Sequence, residues 1–187
     1  MLVDITPIIQ NLESATRKCG ATTLITIDGP AGSGKTTLAA DIAKALATTG
    51  TLSTTIHMDS LYEGWEKALT GSLTTMLRKK VIPALQEGGD FVLPYFDWLI
   101  DQFGPEESYT SAPITILEGV GSGQRATRPF TSVAVWIEAP LEIALERVLD
   151  RDGYDIEGPL KGFKKAELVH FAEEGTKAAA HHTFYSA

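Results

Sequence analysis

Apolar positions along the chain follow two rhythms. Between residues 4 and 17, Ile5, Ile8, Ile9, Leu12 and Ala15 recur near a spacing of three to four, which predicts a leading amphipathic helix. The run TTLITID (22–28) is short, continuous and β-branched, the mark of a buried strand, and it empties into a glycine-rich turn. An Ala/Leu/Ile-rich stretch from Lys35 to Ala47, stopped by Gly50, predicts a helix. LSTTIHM (52–58) predicts a second strand, and 61–69 and 72–86 predict two helices parted by Gly71. FVLPY (91–95) reads as an edge strand, because Pro94 would break a central ladder. PITILEG (113–119) and SVAVWIEA (132–139) predict buried strands. Pro140 opens a helix that runs to about Asp150 and is closed by Gly153. A further helix spans roughly 162–180, with Leu168, Phe171, Ala172 and Gly175 as its seam, and HTFYS (182–186) predicts a last strand.

Strands alternating with helices give the fold class: α/β, three layers, with a mostly parallel sheet covered on both faces. No repeat or Ser/Gly-rich linker interrupts the 187 residues, so 1–187 reads as a single domain. Apolar residues make up 43% and charged residues 21%, a globular balance that excludes a disordered or fibrous chain. The net charge of −8 argues against a nucleic-acid polymer as partner, because gripping phosphate backbones takes an excess of cations. The basic run Arg78-Lys79-Lys80 is too short to reverse that. No stretch approaches the ~18 apolar residues of a membrane span, and MLVDITPIIQ lacks the pattern of a secretory leader. One cysteine, Cys19, cannot form an internal disulfide. A cytoplasmic protein without a membrane partner is the expectation.

The strongest local signal is Gly29-Pro30-Ala31-Gly32-Ser33-Gly34-Lys35-Thr36, which fits G-x-x-x-x-G-K-[ST] between a strand and a helix. A chance glycine turn would match it in roughly one chain per hundred of this length, before the flanking elements are required. Gly29, Ala31, Gly32, Ser33, Gly34 and Thr37 would form a backbone cradle for nucleotide phosphates at the positive end of the next helix. Lys35 would neutralise the β- and γ-phosphates, and the Thr36 hydroxyl would help hold Mg²⁺. ATP and Mg²⁺ are therefore the expected cofactors.

Ligands of an open parallel sheet sit beyond the carboxyl ends of its strands. Asp59 and Glu118 emerge there beside the phosphate loop. Asp59 is placed to take a proton from an attacking hydroxyl or to hold Mg²⁺ through water; Glu118 fits a metal-orienting acid. A solvated acid capping the next element is the plain alternative for each. Asp28 lies under the loop and is expected to cap its backbone. Arg147 and Arg151, one turn apart, face away from the Leu145/Leu149 stripe, as cations for a nucleotide or a solvent face would. Arg151 leads into DGYDIEGPLKG (152–162), a glycine-containing segment read as a mobile lid. Arg125, after a glycine-rich turn, could reach the acceptor or the γ-phosphate. Tyr62 and Trp65, and then Tyr95, Phe96, Asp97 and Trp98, suggest a planar acceptor, although core packing is the usual reason for aromatics.

Taken in order, Ile27 through Thr37, Asp59-Ser60-Leu61-Tyr62, Leu117-Glu118-Gly119-Val120 and Arg147 through Asp152 resemble the uridine kinase-like branch of P-loop kinases. The resemblance implies a P-loop NTPase fold and transfer of the ATP γ-phosphoryl group to a hydroxyl, most simply a nucleoside's. It makes Asp59 the general base, Tyr62 an acceptor contact, Tyr95 and Asp97 parts of the acceptor pocket, and Arg151 a lid cation. The chain departs from the family by placing Phe96 between Tyr95 and Asp97, and by an acidic lid carrying Asp152, Asp155 and Glu157. A sugar or polyol acid as acceptor, and a nucleotide-binding switch without transfer, are the competing readings; self-association is compatible with all of them.

Overall fold

In the computed structural model, which describes residues 3–186, β1 (Thr23–Asp28) is buried along its whole length. Alternation sends Ile25 and Ile27 to one face and Leu24 to the other, so a single strand feeds two cores. Each such side chain contributes roughly 1.5–3 kcal/mol by leaving water. β7 (Ile114–Glu118) and β8 (Thr131–Glu138) flank β1, both parallel to it. β2 (Ser53–His57) extends the sheet beyond β7 and β9 (His182–Tyr185) beyond β8, again parallel. The order β2-β7-β1-β8-β9 means the chain leaves β1 to one side and later crosses back to the other. The carboxyl end of β1 is thus a switch point, where a crevice opens.

Helix α1 (Thr6–Ser14) and helix α2 (Lys35–Thr48) cover one face through Ile8, Leu12, Leu38, Ile42 and Leu46. The other face packs Ile56, Leu117, Leu73, Leu77, Val81 and Leu85. The last four lie on one continuous helix made of α4 (Gly71–Met76), a widened π-helical turn (Leu77–Val81) and α5 (Ile82–Glu87). Pro83 explains the widening: it lacks an N–H and its ring would crowd the carbonyl four residues back. α3 (Gly64–Lys67) is a single turn after a 3₁₀ turn at Met58–Ser60. Together these are the three layers of a P-loop NTPase fold.

The structure departs from several local expectations. Residues 91–95 do not edge the main sheet; β3 (Asp90–Leu93) pairs antiparallel with β6 (Glu107–Thr110) in a separate ribbon, inside which β4 (Phe96–Asp97) and β5 (Gln102–Phe103) form a second, shorter pair. The segment 152–162, read as a lid, is built of helical turns. α6 (Leu141–Asp152) passes through a 3₁₀ turn at Tyr154–Ile156 into α7 (Glu157–Glu174), which tolerates Pro159 because it falls in the first turn. The inner stripe of α7 is Leu160, Phe163 and Glu167, whereas Leu168, expected in the seam, is 67% exposed. Lys177 bonds Glu138 at the end of β8. No described helix is long and apolar enough to cross a membrane.

Candidate functional site

The loop from Gly29 to Gly34 turns under tight constraint. A Cβ on Gly32 would lie 2.0 Å from the Ala144 carbonyl oxygen, and one on Gly29 would lie 1.9 Å from that of Ile137. Only glycine lets α6 and β8 approach so closely, and both residues have positive φ. Gly34 caps α2, so the backbone amides of the loop gather at that helix's positive end.

Asp28 anchors the loop from beneath. Its buried carboxylate accepts N–H bonds from Gly29 (2.7 Å), Gly121 (2.9 Å) and Gly123 (2.8 Å), tying the phosphate loop to the turn that follows β7. Burial pushes this carboxyl up to about 6, against those three donors and Lys35. A second anchor comes from α7. Glu167 accepts the Ala31 N–H at 2.9 Å, and Lys164 donates to the Ala31 carbonyl at 2.7 Å and to Glu167 at 2.9 Å. A third comes from the end of β9, where the Ser186 hydroxyl donates to the Ser33 carbonyl at 2.8 Å and accepts from Arg147 at 2.9 Å.

Above this base opens a cleft of about 620 Å³. Of the residues singled out in the sequence, Ala31, Gly32, Gly34, Lys35, Thr36 and Thr37 line its phosphate end. Asp59, Tyr62, Trp98, Glu118, Arg147 and Arg151 line it as well, although they come from four separate segments. The Lys35 ammonium donates to the Pro30 carbonyl at 2.9 Å, and burial pushes it down against the pull of Asp59, Glu118, Asp28 and Glu167. Protein crowding around Asp59 raises its carboxyl, with Lys35 opposing; solvent still reaches it through the cleft mouth, which moderates the shift. The Thr36 hydroxyl donates to Glu118 Oε1 at 3.0 Å, and His57 Nδ1 lies 2.5 Å from the same oxygen. That bond raises the His57 pKa above its ordinary value.

One hydroxyl and one carboxylate side by side suit Mg²⁺, a hard cation that keeps several waters and takes further oxygens from phosphates. Among the described residues no cluster of three or more His, Cys, Asp or Glu converges, so the cation would rest on Thr36, Glu118 and the nucleotide.

Five expected site residues lie off the cleft wall. Gly29 serves the turn, and the Ser33 hydroxyl is buried without a partner among the described residues. Tyr95 accepts the Gly104 N–H through its carbonyl. Asp97 accepts the Leu99 N–H at 2.9 Å, closing the β4–β5 turn as short acidic side chains do. Arg125 points to the end of α7, where its guanidinium donates to the Glu173 carbonyl at 2.6 Å and its N–H to Glu174 at 2.6 Å; helix C-termini attract cations. Arg151 reaches the cleft, but its guanidinium grips Asp152 at 2.7 and 2.6 Å. That pair is exposed, so its release costs little.

Trp65, named with Tyr62 in the sequence, lines the cleft; sequence reasoning missed Lys164, Glu167, Ser186 and the apolar side chains Ile156, Leu160 and Phe163. The spacing Leu160, Phe163, Glu167 held the available signal: a carboxylate at an inner helical position needs a buried partner.

The family described as AAA domain matches residues 25–170. No curated protein matches the chain. Among solved structures, a possible uridine kinase from Bacillus stearothermophilus superposes with a TM-score of 0.60 at 20% identity, covering 96% of this chain and 100% of that one. A proposed fructose transport system kinase from Silicibacter sp. TM1040 gives 0.64 at 19% identity, covering 97% and 99%. At such identities the likeness is one of fold.

Proposed function

The chain belongs to the AAA domain family and carries the fold of uridine kinase-like P-loop kinases, and on that premise we propose that it transfers the γ-phosphoryl group of ATP to a hydroxyl of a small molecule. The observation that supports this most is the convergence of Lys35, Thr36, Glu118 and Asp59 on one cleft beside a loop of backbone amides. The loop amides and Lys35 hold phosphate oxygens, Arg147 stands beside Gly32 to take part of their charge, and Thr36 with Glu118 would hold Mg²⁺. When bound, Mg²⁺ neutralises charge developing between the β- and γ-phosphates.

The acceptor hydroxyl stands against Asp59. Its oxygen forms the new bond to the γ-phosphorus, the bond from that phosphorus to the bridging oxygen breaks, and ADP leaves with the electron pair. The hydroxyl proton passes to Asp59, whose raised pKa brings it nearer the working range of a general base. Arg151, an exposed cation on the cleft wall, would cover the transferring group once released from Asp152. A nucleoside is the acceptor the resemblance suggests, since a planar base can lie against Tyr62 and Trp98.

The test is ADP release from Mg-ATP with and without pooled nucleosides, sugars and simple alcohols, using Lys35→Ala as the blank. One pool should stimulate release in the wild type alone. ATP binding without stimulation by any pool would sink the kinase reading in favour of a nucleotide switch.

A further inference from the structure

The outer half of the cleft is built from rings. Tyr62, Trp98, Trp65 and Phe163 form a closed circuit, with successive centroids 6.5, 5.0, 5.9 and 6.1 Å apart. All four line the cleft, each inclined to its neighbours, three of the contacts edge-to-face. The polar edges of these rings are already engaged by the protein. Tyr62 donates its hydroxyl proton to the Val120 carbonyl at 2.7 Å, and Trp98 donates its indole N–H to the Asp59 carbonyl at 3.0 Å. Only the Trp65 indole N–H has no partner among the described residues. Leu99, Val120 and Leu160 fill the wall between them with hydrocarbon. The cleft's cations belong to the other end: Lys35 to the loop, Arg147 to Gly32 and Ser186, Arg151 to Asp152.

A bound molecule exchanges its hydrogen bonds to water for whatever the site offers. A base edge, a set of sugar hydroxyls or a phosphate placed among these rings would lose several bonds and regain almost none, and each group left unpaired weakens binding. An apolar ring loses nothing and gains the contact. We propose that the acceptor is an uncharged alcohol whose reactive hydroxyl stands on an aromatic or otherwise apolar body. That hydroxyl meets Asp59, while the body sits against Trp65, Trp98 and Phe163. This rests on the kinase reading above and narrows it: nucleosides, sugars and nucleoside monophosphates become poor acceptors. The transfer step itself is unchanged, with the alcohol proton going to Asp59 and ADP leaving.

The test uses the full chain with two readouts. The first is tryptophan fluorescence, in the presence of a non-hydrolysable ATP analogue, titrated with benzyl alcohol, phenylethanol, uridine, adenosine and glucose. The second is ADP formation from Mg-ATP with the same compounds against the Lys35→Ala blank. The aromatic alcohols should perturb the fluorescence and exceed the nucleosides and glucose by about tenfold in kcat/KM. Trp65→Leu and Trp98→Leu should raise the KM for phenylethanol about tenfold with a smaller change in kcat, and Trp65→Phe should restore it. Uridine or glucose outranking the aromatic alcohols would overturn the proposal and leave the kinase standing. Fluorescence changes with the aromatic alcohols but no ADP from any compound would overturn the kinase reading and keep the apolar site. No response to the aromatic alcohols in either readout would overturn the proposal.

Discussion

The two ends of the cleft are made by different physics. At the phosphate end, Asp28 holds three amides, Glu167 and Lys164 hold both backbone groups of Ala31, and Ser186 links Arg147 to Ser33. These bonds are directional, and all are buried or partly so, which fixes each atom in place. At the acceptor end the rings meet mostly edge-to-face, and the segment that carries Trp98 is held by a two-residue strand pair, the Asp97–Leu99 and Tyr95–Gly104 bonds and the Trp98 indole bond to the Asp59 carbonyl. Leu99 at its tip is 96% exposed. Apolar contacts tolerate changes of shape that a hydrogen-bond network does not. On the proposed kinase reading, chemistry would be held by the hydrogen-bonded end and selection by the apolar one.

The sharpest way to test this division is at the boundary. Asp59→Asn should lower kcat by about 10²–10⁴-fold while nucleotide affinity, read with a fluorescent ATP analogue, stays within a few-fold. Because the Asp59 carboxyl is raised above its ordinary 3.8, the acid limb of kcat/KM should lie above that pH, with activity lost as the base takes up its proton. A variant that keeps its full rate would show that Asp59 is not the base.

The α7 anchor comes next in size. Glu167→Ala leaves the Lys164 ammonium, 11% exposed at its side chain, without its partner and should cost about 3–5 kcal/mol in denaturant unfolding. The double variant Lys164→Met/Glu167→Gln removes the charge problem and should recover much of that stability. It should still weaken nucleotide binding about tenfold, since the Ala31 carbonyl loses its donor. Equal nucleotide affinity in the double variant and the wild type would make the pair a structural feature alone.

The contrast also explains what could be read from the sequence. The sheet and the phosphate loop were legible because short apolar runs, strand-end acids and fixed glycine spacings are local patterns. Asp59 and Glu118 followed from them, since a parallel sheet delivers both to one rim. The acceptor end was not legible. Tyr95, Asp97 and Trp98 are neighbours in sequence, yet only Trp98 faces the cleft, because the β4–β5 turn sends the others into its own backbone bonds. Glu167 was lost for a different reason: the Ala31 N–H that it accepts lies 136 residues away, and its place on the inner stripe with Leu160 and Phe163 was the one local sign that its carboxylate is buried.

Asp28 offers a smaller and more specific test of the rigid end. Asp28→Asn retains one acceptor oxygen but turns an amide NH₂ toward a backbone N–H, which should cost about 2 kcal/mol. The folded carboxyl holds its proton up to about pH 6, whereas the unfolded one releases it near 3.8. Between those values the folded state binds more protons, so the Asp28 contribution makes stability fall as pH rises from about 4 to 6. That slope should flatten in Asp28→Asn, measured as the denaturant midpoint across the interval. An unchanged slope would place the titration elsewhere.

The smallest predicted effect carries its own information. Arg125 was expected near the acceptor, and its guanidinium instead lies on the Glu173 carbonyl. Arg125→Ala should change unfolding by no more than about 0.5 kcal/mol, as exposed substitutions do, and leave kcat/KM unaltered. Arg147→Ala, which removes a cation standing between Gly32 and Ser186, should raise the KM for ATP several-fold. The pair separates a cation held by the phosphate end from one that lies in the turn after β7. A tenfold loss of transfer in Arg125→Ala would mean that the turn after β7 swings into the cleft during turnover. The rigid end would then extend no further than Asp28's hold on Gly121 and Gly123.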